Sequence, residues 1–126
     1  MIRTVSEGKE VQVYIKNHEN LDNDMIAHPA CFVTKRIYDD FGVYSLKYKY
    51  SADYEFMLRM KHNDKIKFVE IYDIISNFNI DGASSSIDGY IDTLTLRHEY
   101  GLLSNRNYYI SLIKSKLHRF LCRLMH

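Results

Sequence analysis

The chain has 126 residues, 46% of them hydrophobic and 26% charged, with a formal net charge of +1. These values suit one globular domain with a single core; they exclude a low-complexity chain, and no apolar run is long enough to span a membrane. The charge is uneven: residues 1–105 carry 12 Lys/Arg against 16 Asp/Glu, whereas residues 106–126 carry five basic residues and no acid.

Residues 1–10 are polar and show no periodic pattern. Val11-Gln12-Val13-Tyr14-Ile15 alternates and is β-rich, which predicts a short strand. Residues 18–24 are rich in Asn and Asp and read as a loop. Residues 25–34 turn apolar and β-prone after Pro29, a second strand. Lys35-Arg36-Ile37-Tyr38-Asp39-Asp40-Phe41 predicts a short helix, with Ile37, Tyr38 and Phe41 on one face and Gly42 as the C-terminal stop. The next helix spans 53–62. Residues 66–80 are crowded with β-branched and aromatic side chains over too great a length for one strand, so two pieces broken near Asp73 are expected. Residues 81–86 are a loop. Two helices close the chain, 87–103 and 106–124. The second carries Tyr109, Leu112, Ile113, Leu117, Phe120, Leu121 and Leu124 as an i/i+3/i+4 stripe. No internal repeat is present. So few strands would fold poorly alone, which makes the chain look like half of a larger unit.

Cys31 and Cys122 match no metal or redox spacing and are expected as reduced thiols of an intracellular protein. The first residues lack the apolar core of a signal peptide. Eleven tyrosines and no tryptophan suit a polar cleft or a core edge, because tyrosine joins an apolar body to a hydrogen-bonding tip.

The pivotal stretch is 42–58. A glycine stop is followed by aromatics, and then Ser51-Ala52-Asp53 delivers a carboxylate to a helix start. Ser51 is a good N-cap, and acids suit a first turn, where free N–H groups and the dipole favour negative charge. Taken alone, this makes Asp53 a capping acid.

A wider set of motifs stands in a telling order. His28-Pro29-Ala30-Cys31-Phe32 precedes the basic pair Lys35-Arg36. Phe41-Gly42-Val43-Tyr44 follows, then Ser51-Ala52-Asp53-Tyr54-Glu55-Phe56, Leu58-Arg59, and finally Phe78 with Gly82-Ala83-Ser84. Over about residues 25–120 this order resembles the C-terminal half of family 2 glycosyltransferases of the GT-A fold, the bacterial enzymes that build capsules, O-antigens and exopolysaccharides. The resemblance implies an α/β fold: a partial GT-A (nucleotide-diphospho-sugar transferase) fold, with a small mixed sheet, flanking helices and two C-terminal helices. It implies one domain over 1–126, the acceptor-side half of a transferase.

It also implies roles. Asp53 would be the general base of an inverting transfer, taking the proton of an acceptor hydroxyl that attacks a nucleotide-activated sugar. His28 would stand at the cleft near acceptor or diphosphate; a hydrogen-bonded structural histidine is the equal alternative. Arg59 either counters a phosphate or pairs with Glu55 at i, i+4, and the helix pair is favoured. Gly82 and Ser84 would belong to a loop over the donor, or to a plain loop. The nucleotide sugar, and the divalent Mg or Mn that an Asp-x-Asp motif holds in the complete enzyme, belong to a donor half that this chain lacks. Asp22-Asn23-Asp24 matches those letters but follows a polar stretch instead of an apolar strand. It is therefore read as a solvated loop, and no metal is expected on this chain.

The basic helix 106–126 has two readings. One is docking on an anionic membrane surface, which would make a cytoplasmic protein peripheral on the inner face. The other is packing on the domain with the basic face in solvent, which is favoured because such helices usually bury their apolar stripe. Nucleic acid is not expected as a partner: the body is acidic and no motif is present. The rival to a transferase fragment is a non-catalytic interaction domain derived from a degenerate transferase.

Overall fold

The computed structural model describes residues 2–6, 9–14, 16–79 and 86–124. The fold is mixed α/β with helix predominant, and its centre is helix α2, Ala52–Lys61. Tyr54, Glu55, Phe56, Met57, Leu58 and Met60 of that helix are buried, which puts side chains in the interior on every face. Leu21, Ile26, Tyr48 and Leu96 complete the buried cluster. Phe56 and Leu58 are fully buried, each contributing about 1.5–3 kcal/mol by removal from water.

Polar ties lock the two ends of α2. At its C-terminal end Lys61 Nζ meets Asp22 Oδ2 at 2.6 Å and His62 Nε2 meets Asp22 Oδ1 at 3.0 Å. Asp22 closes a 3-10 turn, His18–Asp22, and the Tyr54 hydroxyl donates to the Leu21 carbonyl of that turn at 2.6 Å. At its N-terminal end the capping expectation is corrected: Ser51 makes no side-chain cap bond. Its hydroxyl instead lies 2.8 Å from the Thr93 hydroxyl. The N–H groups of Tyr50 and Ser51 both donate to Asp92 Oδ2, at 2.7 and 2.9 Å.

Helix α1, Lys35–Phe41, falls where its sequence signals put it. Two exposed i, i+4 pairs, Lys35–Asp39 and Arg36–Asp40, contribute a few tenths of a kcal/mol each. Gly42 ends it at φ 83 and ψ 174, a region open essentially to glycine alone.

Strand β1, Ile2–Ser6, is not legible in the polar opening segment; β2, Lys9–Tyr14, contains Val11 to Tyr14 of the expected alternating run, and Ile15 lies outside the described residues. The two pair antiparallel, and a register shift after Thr4 leaves Val11 as the extra residue of a bulge. Strand β3, Ser76–Asn79, pairs parallel to β1, giving the order β2-β1-β3.

Two strand expectations fail. Residues 25–34 form no strand. The His28 N–H turns back to the Ile26 carbonyl at 2.8 Å, and His28–Ala30 is a 3-10 turn with Pro29 in its first positions. Proline has no N–H for a ladder and its fixed φ favours such a turn. Residues 66–75 contain no strand either, so of the two pieces expected over 66–80 only Ser76–Asn79 exists.

Helix α3 spans Ile87–Glu99 and α4 spans Asn105–Leu124. Between them Gly101, at φ 72, supports a Schellman close: Leu102 N–H reaches the Arg97 carbonyl at 2.8 Å and Gly101 N–H that of His98 at 3.0 Å. This ends α3 short of the expected residue 103. Among the described residues, no helix is long and apolar enough to cross a membrane.

Candidate functional site

The first turn of α2 carries Asp53 toward the 3-10 turn that carries His28. His28 Nδ1 stands 3.0 Å from Asp53 Oδ2, with the side chains 45% and 29% exposed. The other carboxylate oxygen, Oδ1, accepts from the Tyr54 N–H at 2.8 Å. One oxygen is thus tied to the helix start and the other faces an imidazole. Two residues twenty-five positions apart in sequence form one partly open acid–imidazole pair. The His28 ring stands edge-on to Phe78 of β3, centroids 6.4 Å apart.

Two weakly acidic groups, the Tyr44 phenol and the Cys31 thiol, feel the Asp53 charge. The Tyr38 and Tyr44 hydroxyls lie 3.4 Å apart. That hydrogen bond, with burial and then the Asp53 charge adding to it, pushes Tyr44 up to about 12. Burial pushes the Cys31 thiol up, and Asp53 acts in the same direction; the thiol sits 3.4 Å from the Ala27 carbonyl. An imidazole–carboxylate pair open to solvent can accept a proton from a hydroxyl brought against it.

Arg59 lies six residues further along α2, and its guanidinium is taken up by other partners. Its Nε meets Glu55 Oε1 at 3.0 Å, the i, i+4 pair that was favoured. Its Nη2 donates to the Val43 carbonyl at 2.7 Å, and its Nη1 donates to the Phe41 carbonyl. The guanidinium therefore clamps the turn around Gly42 onto α2. Glu55, itself buried, also accepts from the Tyr100 hydroxyl at 2.8 Å. Burial first, then this bond to Glu55, pushes Tyr100 up to about 12. Gly82 and Ser84 lie outside the described residues.

In the sequence Asp92 is one acid among several in a helix. Its two bonds fix the Tyr50–Ser51 peptides that lead into α2, and so aim Asp53 at His28.

Asp22 and Asp24 are both engaged by other side chains. Asp22 is bound by Lys61 and His62, and Asp24 pairs with Lys16 and accepts from the Met25 N–H at 2.8 Å. Among the described residues no three His, Cys, Asp or Glu side chains gather as ligands.

Beside the site runs an apolar groove of about 460 Å³ between residues 26–37 and 66–75, floored by Phe56, Met57 and Met60.

Comparison with family models, with curated proteins and with solved structures finds no match for this chain.

Proposed function

We propose that this chain is the acceptor-side half of an inverting glycosyltransferase of the GT-A type, acting in surface polysaccharide synthesis. The ordered motifs support the reading, and the observation that carries it is the His28–Asp53 pair at 3.0 Å on a partly open surface. Asp53 is the base. As the acceptor oxygen attacks the anomeric carbon, its proton passes to the carboxylate. The bond from that carbon to the diphosphate breaks, and its electron pair leaves with the nucleoside diphosphate. His28 is a positioning residue that holds the carboxylate from its second oxygen. Arg59 acts through the Gly42 turn and not on a phosphate. On this reading the donor sugar and its metal are held by a half other than this one, and the chain alone transfers no sugar.

The test is an NMR titration of the chain with a panel of oligosaccharides, read at the amides of His28, Asp53 and Tyr54. Shift changes are expected there, and Asp53→Ala should weaken binding about tenfold or more, as loss of a charge-assisted hydrogen bond does. Saccharides that perturb none of these amides would sink the reading. Sugar transfer from a nucleotide sugar by the isolated chain would overturn the fragment assignment.

The apolar groove favours a second reading, an interaction module with no chemistry. In that case peptides and not saccharides would shift the resonances, centred on Phe56 and Met60.

A further inference from the structure

The helix α4 is amphipathic, but it is mounted with its apolar side outward. Its less exposed residues are Tyr108, Ser111, Leu112, Ser115 and Arg119, spaced i, i+3, i+4, i+7 and i+11. This face packs toward α3: Arg119 pairs with Asp88, and Ser115 folds its hydroxyl onto the Ser111 carbonyl at 2.8 Å. Beside Tyr108 and Leu112 this face carries two serines and an arginine, which gain little from leaving water. The opposite face holds Tyr109, Ile113, Leu117, Phe120, Leu121 and Leu124, between 49% and 68% exposed. Packing on the domain, the favoured expectation for this stripe, is not what the fold does with it.

Charge says what covers the stripe. Residues 106–126 contain five basic residues and no acid. At roughly 100° per residue, Lys114 borders one edge of the stripe while Lys116 and Arg123 border the other. Long cationic stems at the two edges of an apolar face let the stems lie on hydrocarbon and the charges reach anionic headgroups. Two copies of the helix placed face to face would set these cations against one another with no acid to offset them, which disfavours self-association. The helix is 20 residues long, and no described helix is apolar enough to cross a membrane, so it lies in the plane of a surface.

We infer that the outward face of α4 docks the protein on an anionic lipid bilayer, with the apolar stripe inserted at the headgroup boundary and Lys114, Lys116 and Arg123 on the phosphates. The inference stands on α4 alone and does not depend on the transferase reading.

The experiment is co-sedimentation of the full chain with vesicles of equimolar phosphatidylglycerol and phosphatidylcholine, and with vesicles of phosphatidylcholine alone. Binding to the anionic vesicles, reduced in about 1 M salt, is expected. The triple variant Lys114→Gln/Lys116→Gln/Arg123→Gln should bind about a hundredfold more weakly, at the usual contribution per basic residue near a charged surface. Leu117→Ser/Phe120→Ser should lose roughly tenfold or more. All five positions are exposed, so unchanged far-ultraviolet circular dichroism is expected to accompany the losses. Failure to bind the anionic vesicles, or equal binding to both kinds, would overturn the inference. A dimer that Leu117→Ser/Phe120→Ser disperses, with no lipid binding, would assign the stripe to a second copy and overturn it equally.

Discussion

Asp92 offers the sharpest test of how the site is held. Replacing it by alanine strips the acceptor from two backbone N–H groups, those of Tyr50 and Ser51, both in a part-buried setting. A hydrogen bond to a charged acceptor contributes about 1.5–3 kcal/mol, and the two share one oxygen, so the joint loss is about 3–4 kcal/mol. That is a large part of the 5–15 kcal/mol typical of a domain. Asp92→Asn keeps a carbonyl oxygen in the same place and loses only the charge, so it should cost about 1 kcal/mol. Urea unfolding followed by circular dichroism reads both, with the slope of the transition unchanged. If Asp92→Ala falls within about 1 kcal/mol of the parent, or asparagine costs as much as alanine, the lead-in to α2 is not held as described. Some other contact must then aim Asp53.

Gly42→Ala should cost about 1–3 kcal/mol, a conformational cost, because the added carbon would sit 3.7 Å from Arg59 Nη1 in ordinary contact; a midpoint unchanged in urea would refute it. Acid should destabilise the fold through Asp22 and Glu99. The hydrogen bond from Lys61 holds Asp22 below its ordinary 3.8, and those from Lys47 and then Tyr48 hold Glu99 below its ordinary 4.5. Depressed folded values mean that this stability is fully present above the ordinary values and is lost as pH falls through the folded ones. Asp22→Asn should therefore flatten the pH dependence of the urea midpoint below about pH 4. In alkali the sign reverses. Burial pushes Tyr54 up to about 12, so its contribution is present below the ordinary tyrosine value and fades as pH rises toward the folded one. Tyr54→Phe should remove part of the late phenolate absorbance seen in the parent.

The local signals of the chain were readable and the non-local ones were not. Helix α1 announces itself through paired charges at i, i+4 and a glycine stop, all within its own residues. Residues 66–75 show the opposite case. Phe68 leans on the core and stacks on His18 with centroids 4.7 Å apart, while Val69 and Tyr72 are both 79% exposed. Their β-branched and aromatic content raises strand propensity, yet no strand among the described residues pairs with them, and propensity carries no record of a partner. Ser51 looked like a cap because serines cap, but the competing acceptor and hydroxyl lay forty positions away in α3. Motif order points to Asp53 and His28 separately and says nothing of their contact. Their meeting depends on the turn at Pro29, where the β-prone residues around it predict extended chain.

The parallel pairing of β1 with β3 has a kinetic consequence. Ile2 aligns with Ser76, so the central strand of the sheet cannot close on its second neighbour until a loop of about 70 residues has been brought round. Forming such a loop costs about 4 kcal/mol of chain entropy before any ladder bond repays it, whereas the β1–β2 hairpin closes over a two-residue connection. The helical centre around α2, built from closer contacts, should therefore assemble first and act as the template on which the sheet is completed. Pulse-labelled hydrogen exchange would see this as protection of the β3 amides arriving after those of α2. Protection of both in one phase would refute it.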